Sequence, residues 1–288
     1  MNLLKTALAN KPEPHYVKNF LSLTERYSVF LFDIWGVVHD GIHAFPGVVE
    51  TINALALKQK VIFLSNMPRP RQIAREKLNR LGIHNTFDIV TSGDVTRDLL
   101  TTTYQGQKIY HLGAHCNKDI GAGLDLNLVE NVEEADLVLL TAFMEPDEDE
   151  HQYDVLIAKI SQKKIPVLCA NPDKIAMNGK EIRRCAGMLA EKIEQQGGNV
   201  LSMGKPDPII YQAVMKRFPE FGSHQMLMIG DTLETDIIGA TQVGIDSFLI
   251  LTGNTGNELR DQGFALVDFL HVKGREIYCP TYYGDSFV

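Results

Sequence analysis

Cysteine is scarce. Cys116, Cys169, Cys185 and Cys279 are the four in 288 residues, widely scattered and with no Cys-x-x-Cys pair. That spacing points to neither zinc nor a dithiol redox centre, and reduced thiols in a cytoplasmic protein are the expectation. Long apolar runs are missing as well. No stretch approaches the ~18 uninterrupted apolar residues of a membrane helix, and Lys5 breaks the apolar run near the start, so neither a span nor a signal peptide is expected. Positive charge is short: 28 Lys and Arg stand against 36 Asp and Glu, a formal net charge of −8. Such a balance disfavours sequence-independent attraction to nucleic acid or to an anionic membrane. Repeats and low-complexity tracts are absent.

What is there is ordinary globular material: 44% hydrophobic and 22% charged residues, with 23 Gly and 12 Pro. At ~150 residues per domain, the length predicts two folding units or one domain with a large insertion. Short apolar runs at Val29 to Phe32, Val61 to Leu64, Ile89 to Thr91 and Met226 to Ile229 predict buried parallel strands. Helical patterns at Gly47 to Lys58 and Pro70 to Leu81 lie between them. This alternation predicts an α/β fold with a doubly wound parallel sheet, whose ligands sit at the carboxyl ends of the strands. A second strand set at Lys108 to Leu112, Leu137 to Leu140 and Pro166 to Ala170 predicts an α/β insert. The expected division is a core of residues 1–91 and 198–288 around an insert of residues 92–197, ending near the Gly197-Gly198 breaker. The acidic run Glu145 to Glu150 reads as the solvated start of a helix, with cation binding as the alternative.

Four clusters carry chemistry-bearing side chains. The strand Phe30-Leu31-Phe32 delivers Asp33, followed by Ile34-Trp35-Gly36 and His39-Asp40-Gly41. Phe63-Leu64 ends in Ser65-Asn66. Gly204-Lys205-Pro206-Asp207-Pro208 offers a fixed cation in Lys205, while Asp207-Pro208 reads as an N-cap followed by proline. Ile229-Gly230 ends in Asp231, with Asp236 five residues later. Each alone is an ordinary strand end or turn. If Asp33, Asp231 and Asp236 converge, three carboxylates would raise one another's pKa values unless a cation neutralises them. Mg²⁺, with hard oxygen ligands and retained water, suits that task.

Together, in this order, the clusters resemble the haloacid dehalogenase superfamily, whose hydrolases carry an Asp nucleophile, a Ser or Thr, a Lys and a Gly-Asp-x-x-x-x-Asp acid pair. The insert is similar to the type IIA cap of NagD-like nucleotide and sugar phosphatases. So are its Ala170-Asn171-Pro172-Asp173 step, the Thr91-Ser92-Gly93 junction and His39-Asp40-Gly41 followed by Pro46-Gly47. The resemblance implies a Rossmann-like core with an inserted cap, and catalysis by Asp33, Ser65 and Lys205. Asp33, the Trp35 carbonyl oxygen and Asp231 would hold Mg²⁺, with Asp236 behind them or acting through water. Ser65, Asn66, Lys205 and, from the cap, Asn171 and Asp173 would meet a small phosphorylated metabolite, the last two being equally good turn residues.

One position departs from that pattern. Superfamily phosphatases usually carry a second Asp two residues after the nucleophile, as general acid and base, but here the residue is Trp35. General acid–base assistance contributes about 10²- to 10⁴-fold. Three readings follow: His39 or Asp40 substitutes through water, the leaving group is a good one, or the reaction is not ester hydrolysis. The leading expectation is a Mg²⁺-dependent phosphatase. A 2-haloacid dehalogenase-like hydrolase and a non-catalytic module binding phosphorylated ligands are the alternatives. Homo-oligomerisation is open, as is whether the aromatic segment Tyr278-Cys279-Pro280-Thr281-Tyr282-Tyr283 packs on the core or on a neighbouring subunit.

Overall fold

Every residue of Val29–Phe32 and of Met226–Gly230 is buried. Strands apolar on both faces belong inside a parallel sheet covered on both sides. The computed structural model describes residues 13–84, 86–144, 148–178, 181–272 and 279–287. In chain order its strands are β1 (His15–Tyr16), β2 (Val29–Phe32), β3 (Lys60–Ser65), β4 (Asp88–Thr91), β5 (Lys108–Leu112), β6 (Asn127–Val129), β7 (Leu137–Leu140), β8 (Val167–Cys169), β9 (Ile175–Asn178), β10 (Glu181–Arg184), β11 (Val200–Ser202), β12 (Met226–Gly230), β13 (Asp246–Ile250) and β14 (Tyr282–Gly284).

A seven-stranded sheet has the order β1-β14-β13-β12-β2-β3-β4, and the pairings from β1 through to β3 are parallel. From β2 the chain steps outward through β3 and β4. It returns on the opposite side of β2 as β12 and steps outward through β13 and β14. Winding therefore reverses between β2 and β12, and the crevice beyond the carboxyl ends at such a reversal is where open α/β sheets bind ligands. A five-stranded parallel sheet, β11-β8-β7-β5-β6, and an antiparallel pair, β9 with β10, make up the middle of the chain. The α/β class with a doubly wound parallel core is as the sequence predicts. The predicted helices are present as Val48–Leu55 and Arg71–Arg80.

The chain divides into two compact units. One runs to Leu64 and takes in Lys77–Asp88 and the chain from Val214; the other holds Ser65–Glu76 and Ile89–Ala213. In the first, Phe20 meets Phe248 edge-on at 5.2 Å and Phe287 at 4.9 Å, and Tyr282 packs edge-on against Tyr27 at 6.3 Å. The aromatic C-terminal segment thus packs on its own chain, although Tyr278, like Lys5, lies outside the described residues. The second unit has its own core, built on Leu112, Val138, Leu140, Ile157, Val167, Leu189 and Ile193. Among the described residues, no helix is long and apolar enough to cross a membrane.

Candidate active site

The two strands at the winding reversal each end in an acid. The backbone N–H of Asp33 donates to Ile229 O at 2.9 Å, carrying the β2–β12 pairing one residue past the strand and fixing where the Asp33 carboxylate emerges. Asp231 follows Gly230 directly, and Asp236 returns on a π-helical turn over Leu233–Ile237, an element often found at functional sites. Asp33, Asp231 and Asp236 are all buried, and their ligand atoms lie within 4.8 Å of one another. Gly36 makes room for this: its φ is +77°, and a Cβ there would stand 2.3 Å from Asp231 Oδ2.

Backbone and hydroxyl donors hold the acids in place. Asn254 N–H, at the first turn of helix Asn254–Gln262, donates to Asp231 Oδ2 at 2.5 Å. Thr232 Oγ1 donates to Asp231 Oδ1 at 3.2 Å, and Thr232 N–H donates to Asp236 Oδ2 at 3.2 Å. A helix N-terminus favours negative charge, yet three buried carboxylates this close still repel. An all-oxygen anionic donor set of this kind fits a hard divalent cation. Thr252 and Asn254 were not anticipated from the sequence. Thr252 Oγ1 donates to Gly36 O at 2.7 Å, tying the loop after β13 to the loop after β2. The available signal was the turn-rich Thr252-Gly253-Asn254-Thr255-Gly256 after an apolar strand.

Trp35 aside, the remaining predicted site residues belong to the second unit. Ser65 is buried at the carboxyl end of β3, and its Oγ accepts from Met67 N–H at 3.3 Å. Lys205 is buried. Asn66 Oδ1 accepts from Lys205 N–H at 2.7 Å, and its Nδ2 donates to Lys205 O at 2.9 Å and to Asp173 Oδ1 at 2.8 Å. Asn66, Asp173 and Lys205 are therefore brought together. Asn171 acts locally as well, its Oδ1 accepting from Asp173 N–H at 3.3 Å. Asp207 Oδ1 accepts from Ile209 N–H at 2.9 Å, the capping role its position before Pro208 suggests.

Family models match residues 30–126 as a haloacid dehalogenase-like hydrolase and residues 202–270 as HAD-hydrolase-like. The chain is 30% identical over 233 residues to Sugar-phosphatase AraL of Bacillus subtilis, covering 78% of this chain and 83% of that protein. The chain belongs to the haloacid dehalogenase superfamily. Among solved structures of the superfamily, a hydrolase from Brucella suis 1330 superposes with a TM-score of 0.74 at 32% identity, covering 83% of this chain and 89% of the other. Glycerol phosphate phosphatase from Mycobacterium tuberculosis, in complex with magnesium, shares the fold with a TM-score of 0.71 at 21% identity, covering 92% of this chain and 76% of the other. The resemblance read from the four clusters holds, and with it the placement among the phosphatases of this superfamily.

The loop that departs from the superfamily pattern is closed on itself. Trp35 and Ala44 each form a backbone bridge with His39. The Trp35 and His39 rings meet edge-on at 4.9 Å, and the Lys77 ammonium lies 4.6 Å from the Trp35 ring centroid while donating to Gly41 O at 3.1 Å. His39 is fully buried, and its Nδ1 accepts from Gly41 N–H at 2.8 Å. Burial, helped by the Lys77 charge, pushes its pKa down to about 3, so the ring is neutral. Asp40 caps the turn instead, its Oδ1 accepting from His43 N–H at 2.7 Å and Ile42 N–H at 2.8 Å. Those bonds hold the carboxyl below its ordinary range. Both residues thus have turn-building roles.

A second acidic group, Asp149 and Glu150 with His151, also gathers ligand atoms within 4.8 Å. Asp149 Oδ1 accepts from His151 N–H at 2.9 Å, capping the turn that leads into helix Asp154–Lys163, and Lys192 Nζ donates to Asp154 at 2.8 Å. This is the helix start the acidic run suggests; residues 145–147 of that run lie outside the described residues.

Proposed function

We propose that this phosphatase is a Mg²⁺-dependent hydrolase of small phosphorylated metabolites, sugar or nucleotide phosphates, and acts through an aspartyl phosphate on Asp33. The observation that carries this reading is the meeting of Asp33, Asp231 and Asp236 within 4.8 Å at the winding reversal of the sheet. Asp33, the Trp35 carbonyl oxygen and Asp231 would hold the ion, with Asp236 behind them. When bound, the ion neutralises the acids and draws charge from the phosphoryl oxygens. Asp33 attacks phosphorus as the bond to the leaving oxygen breaks, that oxygen taking its proton from water, while Lys205 and Ser65 hold the equatorial oxygens. Water then cleaves the aspartyl phosphate, releasing orthophosphate and restoring the Asp33 carboxylate.

Residues 92–197 act as the inserted cap that brings specificity residues, with Asn171 and Asp173 as candidates. The sugar phosphatase relative and the magnesium-bound structural neighbour support this choice of substrate class and metal. The carboxylate trio speaks against a metal-free 2-haloacid reaction, in which no cation would offset the acids as the substrate carboxylate enters. The scarcity of cysteine and the absence of any Cys-x-x-Cys pair suit the cytoplasm. The experiment is turnover of a panel of sugar, nucleotide and aryl phosphates with Mg²⁺ and with EDTA, together with BeF₃⁻ binding. Metal-dependent hydrolysis, with BeF₃⁻ bound by the native chain and not by Asp33→Asn, is expected. An Asp33→Asn variant with full activity would overturn the nucleophile.

A further inference from the structure

Asn66 directly follows the serine candidate, where a substrate contact is the natural expectation. Its carboxamide has one acceptor oxygen and two donor hydrogens. All three kinds of bond are made inside the protein: Oδ1 takes Lys205 N–H at 2.7 Å, and Nδ2 gives to Lys205 O at 2.9 Å and to Asp173 Oδ1 at 2.8 Å. The amide orientation is fixed by chemistry, because a flip would set its NH₂ against a backbone N–H and its oxygen against a carbonyl and a carboxylate. The side chain is buried, with 4% of the residue exposed. Gly204 is part of the arrangement, since a Cβ there would stand 2.3 Å from Asn66 Oδ1 and 3.0 Å from Pro172 Cδ.

Both backbone polar groups of Lys205 are thus gripped by one side chain, and that side chain is itself held by a carboxylate 107 positions further along the chain. Burial makes these bonds expensive to leave unmade. We propose that Asn66 is a positioning residue: it fixes the backbone of Lys205, and so the origin of the lysine side chain, and Asp173 fixes Asn66 in turn. The inference rests on the proposed function, in which Lys205 meets the phosphoryl group. It reassigns Asn66 and Asp173 from contact with the substrate to control of that lysine.

The test is a double-mutant cycle on the full chain with Mg²⁺, comparing wild type, Asn66→Ala, Lys205→Met and the combined variant. Three quantities are read: kcat and KM on p-nitrophenyl phosphate, the dissociation constant of inorganic phosphate, and Tm. A loosely held catalytic group costs about 10²-fold, so Asn66→Ala should lose on the order of 10- to 100-fold in kcat/KM and weaken phosphate binding. In the Lys205→Met background the same change should cost less than about 2-fold in either quantity. A second route avoids truncation. Asp173→Asn keeps an oxygen that can accept from Asn66 Nδ2, whereas Asp173→Leu removes it, so Asp173→Asn should retain more of the phosphate affinity. Equal losses in both Lys205 backgrounds, or equal losses in Asp173→Asn and Asp173→Leu, would overturn the inference while leaving the phosphatase reading intact. A wild-type chain that neither hydrolyses phosphate esters nor binds phosphate would remove the proposed function itself.

Discussion

The Lys77 ammonium stands 4.6 Å from the centre of the Trp35 ring and bonds Gly41 O at 3.1 Å, so a single cation fastens both ends of the loop that follows Asp33. A cation over an indole face is attracted by about 0.5–2 kcal/mol, more as water is excluded. Lys77 is half-buried, and desolvation lowers its pKa from the ordinary lysine value. The indole that replaces a carboxylic acid is therefore built into the loop by a specific partner.

That replacement predicts leaving-group sensitivity. With no acid at position 35 to protonate the departing oxygen, aryl phosphates should turn over about 10²-fold or more faster than alkyl phosphates. A series of phosphate esters spanning leaving-group pKa should give a steep rate dependence. The Trp35→Asp, Lys77→Met pair should flatten it by supplying an acid freed from the neighbouring ammonium. A flat series in the native chain would mean that another group donates the proton.

Gly36→Ala should separate function from stability. A side chain at φ +77° costs roughly 1–2 kcal/mol, a modest loss. Its Cβ, however, would lie 2.3 Å from Asp231 Oδ2, so the acid must move. The expected outcome is a chain that melts a few degrees lower and whose kcat/KM falls at least about 10²-fold. Activity within 3-fold of wild type would contradict the geometry described for Asp231.

Metal should stabilise the fold through the same three acids. A ligand that binds only the native state adds about 2.7 kcal/mol at a hundredfold excess over its Kd. Mg²⁺ titrated into the metal-stripped chain should therefore raise Tm. Asp231→Asn and Asp236→Asn should show a smaller rise, and an undiminished rise in both would place the ion elsewhere.

His111 predicts an acid-labile element in the second unit. Its Nε2 is 2.9 Å from Thr141 Oγ1, and burial pushes its pKa down to about 4 from 6.5. The folded value lies below the unfolded one, so the unfolded chain takes up the proton first. The contribution is complete above about pH 6.5 and is lost as pH falls through about 4, by on the order of 2 kcal/mol. Melting of wild type and His111→Gln between pH 7 and 4.5 checks this: the variant should lose less stability over that interval.

The legible parts of the fold were those where one local signal sufficed. β2 and β12 are apolar on both faces and end in acids, so both the strands and the acids that meet at their ends were readable from Val29 to Asp33 and from Met226 to Asp231. β1 was not, because two exposed residues paired with β14 carry no periodicity. Thr252 and Asn254 were missed because their roles exist only once β13 sits beside β12. Asn66 reads as a substrate contact in the sequence for a similar reason: its two partner residues lie 107 and 139 positions away, and nothing in Ser65-Asn66 announces them.

The adjacency of β2 and β12 has a consequence for how the protein is made. Asp33 is synthesised before, and Asp231 and Asp236 after, the whole middle of the chain. A nascent polypeptide halted anywhere before Met226 carries the Asp33 carboxylate without its companions. Forms that stop before Met226 should therefore be inert as phosphatases, because the acid cluster is incomplete.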